Sequence, residues 1–155
     1  MPRKWIMALA LTAASPMGSS ALACAIHLPL EIEDVGNADV IVIGHIARYE
    51  NLGDYAYFEI QVDQFLKGSS ARKIKVAWQN STFGQPAGLA SGPYLIALRD
   101  PASSAQPSRD PSGTSFEVGV PGLPTVLQRS CSDAFILPTG GTSALQVRGL
   151  FEKLG

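Results

Sequence analysis

Two cysteines and two histidines are the residues of this 155-residue chain best suited to chemistry. Cys24-Ala-Ile-His27 has the spacing of a metal pair, but a site needs three or four ligands and the pair alone does not make one. His27 reads as a surface residue near the start of the fold. His45 follows Gly44 in a strand-like run and reads as a barrel-wall or solvent-facing side chain. A catalytic triad would need one of them beside a serine and a carboxylate. Gly88-Leu-Ala-Ser-Gly92 does not have the G-x-S-x-G spacing of a nucleophile elbow. Gly140-Gly-Thr-Ser143 precedes a helical pattern and could cradle an anion on free N–H groups, although a turn is the plainer reading. Glu31, Glu33 and Asp34 read as a solvated helix face. Arg72, Lys73 and Lys75 make a basic strand edge, which protects against edge-to-edge aggregation. Tyr49, Tyr55 and Tyr57 gather around one turn and suit either a small binding patch or packing at a barrel end. No catalytic set or cofactor motif assembles from these residues, so the chain reads as non-enzymatic and cofactor-free.

The compartment follows from the first residues. Arg3 and Lys4 give a positive start, Ile6 to Ala14 form a short apolar run, and Ser20-Ala-Leu-Ala23 ends in an A-x-A pattern. Residues 1–23 therefore read as a secretory signal cleaved after Ala23, leaving a domain of residues 24–155 that begins at Cys24. The product is expected in the periplasm or outside the cell. Lipoprotein processing is the rival reading, since it also places a cysteine first, but Ala21 stands where a leucine is usual. No stretch reaches the roughly 18 apolar residues of a transmembrane helix. In an oxidising compartment Cys24 and Cys131 have one intramolecular pairing available. That bridge would close a loop of roughly 100 residues, for which chain entropy allows about 4–5 kcal/mol.

The elements that must position these groups are mostly strands. A helical turn or two is expected within 28–37, stopped at Gly36 and Asn37. Asp39–Tyr49 starts with β-branched residues on both faces, as in a strand covered on both sides. Asn51–Asp54 is a turn. In Tyr55–Leu66, Phe58, Ile60 and Val62 alternate with Tyr57, Glu59, Gln61 and Asp63. A turn over 67–70 leads to Ile74, Val76 and Trp78, which alternate with Lys73, Lys75 and Ala77. The two apolar sets are expected to share one core. Residues 79–93 read as a loop and Tyr94–Arg99 as a fourth strand. The Pro/Ser-rich stretch 101–114 has little to bury and reads as a mobile surface loop. Phe116–Val120 and Val126–Cys131 are expected as short strands. Thr142 or Ser143 would cap a last helix, Ala144–Leu154, whose apolar face holds Leu145, Leu150, Phe151 and Leu154.

Composition agrees with that reading. The chain is 46% hydrophobic and 16% charged, with 15 glycines, 11 prolines and a net charge of −1. That is one domain rich in strands and turns, without a coiled-coil stretch. The slightly acidic balance and the lack of a basic stripe argue against a nucleic-acid module. Five or six short strands and a terminal helix suggest a small closed barrel, with a sandwich as the alternative.

The order of particular motifs carries a family resemblance. Asn37-Ala-Asp39-Val-Ile-Val-Ile-Gly44-His-Ile is followed by Phe58-Glu-Ile-Gln-Val62 and Leu66-Lys-Gly68. Ile74-Lys-Val76, Gly92-Pro-Tyr94-Leu-Ile and Cys131 come next. This series resembles the netrin-like module of tissue inhibitors of metalloproteinases, including its small secreted bacterial relatives. The resemblance spans nearly all of residues 24–155. It implies a five-stranded barrel of the oligonucleotide/oligosaccharide-binding (OB) type with a helix packed against it. In those inhibitors the first residue of the processed chain is a cysteine whose α-amino group and carbonyl oxygen chelate the target protease's zinc. A disulfide pins that terminus to the barrel. Cys24 after the expected cleavage matches such a residue, and Cys131 resembles the partner of the family's second cysteine; where Cys24 aligns with the first cysteine, Ala25 matches the residue whose side chain enters the specificity pocket. Ile26 stands where the family has the second cysteine of Cys-x-Cys, so Cys24 corresponds to either member of that pair.

The resemblance thus implies an exported binding module with a protein partner, a zinc metalloprotease if Cys24 is the chelating terminus. The alternative is an envelope structural or accessory protein, lipid-anchored at Cys24, with no inhibitory site. Neither reading involves nucleic acid, a transmembrane span or a bound metal of the chain's own.

Overall fold

The structure, a computed structural model, describes residues 26–79, 85–104 and 119–152. The expected leader at 1–23 lies outside the described residues. Strand β1 (Val40–Asn51) is followed by β2 (Tyr55–Lys67), β3 (Lys73–Gln79) and β4 (Pro93–Arg99). A one-turn helix α1 (Pro101–Ser104), strands β5 (Thr125–Val126) and β6 (Ile136–Pro138), and helix α2 (Thr142–Glu152) complete the order. A 3₁₀ helix over Ile32–Asn37 precedes β1.

Pairing closes the barrel. The neighbours run β1, β2, β3, β5, β4 and back to β1, with β6 added along β4. All these pairs are antiparallel except β3–β5, which meets in parallel at Ala77 and Thr125. The domain is therefore a closed five-stranded mixed barrel of OB-like order, with one extra strand and a C-terminal helix. A sandwich is excluded. Closure requires β1 to bend between β2 and β4, and register shifts after Ile41, Ile43 and Ala47 supply the bend. Gly44 sits in the second shift, where an added Cβ would lie 2.3 Å from the Gln61 carbonyl oxygen. Gly68, at φ +68°, turns the chain from β2 towards β3, and a Cβ there would meet the Asp39 carbonyl.

Period-2 alternation fills the barrel. Phe58, Ile60, Val62, Ile74, Val76 and Trp78 all point into one core, joined by Tyr94, Ile96 and Leu98 from β4. A second core lies on the other side of β1 and β4. There Ile41, Leu95 and Ala97 meet Val35, Leu127, Phe135, Ala144 and Val147. Two cores explain why β4 is buried from Tyr94 to Arg99, and why β1 begins apolar on both faces.

Several expectations need correcting. The strand expected over 126–131 is only the two residues Thr125–Val126. The chain then turns, with Cys131 at φ +71°, and Gln128 pairs with Ala134 as an isolated bridge. Strand β6 occupies a stretch not expected to be a strand. The stretch read as a mobile loop from 101 instead begins with helix α1. Pro101 opens it and Asp100 Oδ1 accepts the Ala102 N–H at 2.9 Å. Residues 105–118 lie outside the described residues, and with them most of that loop and most of the strand expected at 116–120; Gly119 and Val120 are not in a strand. Helix α2 starts at Thr142, since the Leu145 N–H reaches back to the Gly141 carbonyl, so Thr142 lies inside the helix rather than capping it. Its buried face is Ala144, Val147 and the half-buried Phe151, spaced three and four apart, whereas Leu145 and Leu150 are exposed.

Candidate binding site at the N-terminal segment

The candidate site residues Cys24 and Ala25 lie outside the described residues. The segment that follows them is fixed to the outside of the barrel at defined points. The Leu28 N–H donates to the Cys131 carbonyl at 2.8 Å, and Leu28 pairs in parallel with Ser132. His27 Nε2 lies 3.2 Å from Asp133 Oδ1. Ile26, next towards the terminus, is 72% exposed. Among the described residues no cysteine is free.

Arg129 is the strongest fastener. Its Nη1 and Nη2 lie 2.7 and 2.9 Å from the two carboxylate oxygens of Glu31. Its Nε lies 3.0 Å from Asp34 Oδ2, and Nη2 is 3.4 Å from Oδ1. One planar guanidinium thus serves two carboxylates, each through a pair of oxygens, a geometry that lysine cannot reproduce. This corrects the reading of Glu31, Glu33 and Asp34 as a solvated face. Glu33 is exposed, but the Asp34 side chain is only 9% exposed and packs under Arg129. The 3₁₀ helix tightens the turn so that Asp34 points inward. Sequence reading missed the partner because Arg129 lies 95 residues from Asp34 and carries no local signal.

A polar network fixes the other side of the same hairpin. Trp78 Nε1 donates to Gln128 Oε1 at 2.9 Å, and Gln128 Nε2 donates to the Ser132 carbonyl at 2.7 Å. Both side chains are buried, so the shape of the 128–132 turn is tied to the barrel interior. A cleft of about 420 Å³ opens beside it, lined by Leu30, Trp78, Leu89, Asp133, Ile136 and Ser143 among others. The Gly140–Ser143 stretch considered for anions is the turn into α2, with the Gly141 N–H donating to the Pro138 carbonyl at 2.8 Å.

The histidines sit apart in the topology. His45 is exposed on β1 opposite Gln61 and lies 3.4 Å from Asp63 Oδ2, whereas His27 belongs to the N-terminal segment. Among the described residues no group of three or more His, Cys, Asp or Glu side chains could hold a metal ion. No helix among them is long and apolar enough to cross a membrane.

A second cluster lies on the outer face of β2. Glu59 belongs to the set that alternates away from the barrel core, yet it is 7% exposed. Arg48 Nη1 is 3.0 Å from its Oε1 and Lys73 Nζ is 3.3 Å from its Oε2. Burial pushes the Glu59 carboxyl up, but contact with Lys73 and the charges of Arg48, Lys73 and Lys75 together hold it below the usual glutamate value. Arg99, buried at the end of β4, is shifted down by burial, against the opposing charges of Asp39 and Asp100. Burial likewise raises the Tyr49 hydroxyl, which donates to the Pro86 carbonyl at 2.8 Å, with Asn51 acting against the rise. The three tyrosines therefore divide: Tyr49 packs against Phe58 and ties down the 85–89 loop, while Tyr55 and Tyr57 flank each other on β2 with ring centroids 6.3 Å apart.

No protein-family model and no curated protein matches the chain.

Proposed function

We propose that this chain is an exported, non-enzymatic binding module that engages a protein partner through its N-terminal end, Cys24 and Ala25, with a zinc metalloprotease as the partner to test first. The observation that carries the reading is the bond from the Leu28 N–H to the Cys131 carbonyl. It holds the chain beside Cys131 four residues after Cys24, within the roughly 14 Å that four extended residues can span. A Cys24–Cys131 disulfide is therefore within reach, and with it a terminus held against the barrel. The OB-like barrel and the motif series resembling the metalloproteinase inhibitors support the same reading. A terminal amine and the adjacent carbonyl oxygen are sound ligands for a target's zinc, and an ordinary α-amine near ~7.7–8 is partly neutral at physiological pH.

Mass spectrometry of the exported protein tests the premise. The expected product begins at Cys24 with a free α-amine, carries a Cys24–Cys131 bridge, and is secreted or periplasmic. An acylated Cys24 would point instead to a lipid-anchored envelope protein. Inhibition is then measured against a panel of zinc metalloproteases with the native protein and a variant carrying one alanine before Cys24. The extension turns the amine into an amide and moves the terminus by about 3.5 Å, so it should abolish inhibition while leaving the fold intact. Absence of inhibition by the native protein across the panel would defeat the protease reading.

A further inference from the structure

The Glu59 cluster has features that a solvated strand face does not require. Glu59 is buried although it points away from both apolar cores, and each of its carboxylate oxygens faces a different cation. Those cations are themselves exposed: 73% of the Arg48 side chain and 65% of the Lys73 side chain remain accessible. Lys75 stands directly across the β2–β3 ladder from Glu59, is exposed, and has no ion pair among the described residues. Arg48 adopts φ +54°, and the bulge between Ala47 and Glu50 swings it over β2. A non-glycine residue in that backbone region is strained, and such strain concentrates where a side chain must be aimed.

One buried carboxylate thus fixes two exposed cations, with a third beside them. Counting Lys73 and the neighbouring Glu50, this wider group of five charges carries one excess positive charge on a chain whose net charge is −1. Arg48 and Lys75 border a cleft of about 240 Å³ whose remaining walls include Glu50, Tyr57, Glu59 and Leu123. Tyr55 extends the aromatic wall along the same face of β2. Arg48, aimed by Glu59, and the exposed Lys75 beside it offer an anion two cationic partners, and the aromatic wall next to them suits the flat apolar face of a sugar ring better than a flexible acidic side chain. The cleft volume suits one ring. We propose that this outer face of β2 and β3 is a binding site for an acidic oligosaccharide, one carboxylated sugar of which sits over Tyr57 with its carboxylate between Arg48 and Lys75. This site uses neither Cys24 nor Ala25 and stands independently of the protease reading.

The test is an amide-resolved NMR titration of the full exported chain with a short oligogalacturonate. A neutral maltooligosaccharide and an oligoglutamate of the same length serve as comparisons. Oligogalacturonate should shift Tyr57, Glu59 and Lys75 and bind at least about tenfold tighter than either comparison. Lys75→Ala should weaken it about tenfold, and Lys75→Arg should retain it. Glu59→Gln gives the sharper distinction. It raises the positive charge of the face, so a diffuse basic patch would bind tighter, whereas a site that depends on Glu59 to aim Arg48 should bind more weakly. Where melting shows that Glu59→Gln is unfolded, the Lys75 pair decides. Equal binding of oligoglutamate overturns the sugar assignment, and binding that ignores Lys75→Ala, or no shift at these residues, overturns the site.

Discussion

Replacing Arg129 with alanine is expected to destabilise the domain by about 3–5 kcal/mol, chiefly by stranding a buried carboxylate. The Arg129 side chain is 16% exposed and bridges two acids in different surroundings. Glu31 is half exposed, so its pair with Arg129, however short, is worth at most about 1 kcal/mol in water. Asp34 is buried, and without Arg129 it loses a partner that two of its oxygens share. The cost is therefore carried by Asp34. Urea unfolding of four proteins separates the two contributions: native, Arg129→Ala, Asp34→Ala and the double variant. The double variant should be no less stable than Arg129→Ala alone, because the stranded charge is gone. Glu31→Ala should cost less than about 1 kcal/mol. Strict additivity of Arg129→Ala and Asp34→Ala, or a loss below about 1 kcal/mol for Arg129→Ala, would refute the argument. In that event the N-terminal segment would be held by the Leu28 backbone bond and the His27–Asp133 contact rather than by Arg129.

Trp78→Phe removes the indole donor from Gln128 in a buried site and should cost about 1–3 kcal/mol, measured by chemical denaturation; Trp78→Phe combined with Gln128→Leu should recover part of that loss. Gly44→Ala should cost about 1–3 kcal/mol or more, because its Cβ would press on the Gln61 carbonyl across the β1–β2 ladder; thermal melting reads the loss. The Glu59 carboxyl is held below the ordinary value of 4.5, so its folded form favours the anion. The resulting stabilisation is fully present above the unfolded pKa and disappears as pH falls through the lower, folded one. A carboxyl-resolved NMR titration should therefore place the Glu59 midpoint below 4.5, and Lys73→Gln should raise it. A midpoint at or above that value would contradict the cation cluster.

The barrel was legible because alternation is a local signal. Phe58, Ile60 and Val62, and Ile74, Val76 and Trp78, declare their faces within a few residues, and adjacent strands then share one core. Strands covered on both sides were equally readable at Val40–Ile43. What failed was everything fixed by tertiary contact. β5 has two residues and β6 three, too short for any periodicity, and both exist because β4 offers them an edge. The buried stripe of α2 was misassigned because large leucines were weighed above Ala144 and Val147, although a helix packed onto the 3₁₀ helix, β2 and β6 buries these smaller residues in the second core. At the candidate site, Glu31 and Asp34 announce charge but not burial, and nothing near Arg129 in sequence announces that it receives them. Asp100-Pro101, by contrast, was a readable helix start masked by the Pro/Ser-rich stretch around it.

The manner in which the N-terminal segment is fastened bears on what it can do. A strap that served only to cover the barrel would bury its apolar side chains and leave its polar groups to solvent. Here the order is reversed between residues 26 and 28. Ile26 and Leu28 are exposed, while a backbone bond from Leu28, the His27–Asp133 contact and the Arg129 pairs hold the chain in place. Polar anchoring leaves apolar side chains at the surface in a fixed position, where ordering them costs little further conformational entropy on association. Exposed apolar residues on a free terminus would lose that entropy in the bound state and bind weakly for their area. Residues 26–28 therefore have the properties of a preorganised contact edge, and a partner that reaches Cys24 would meet Ile26 next.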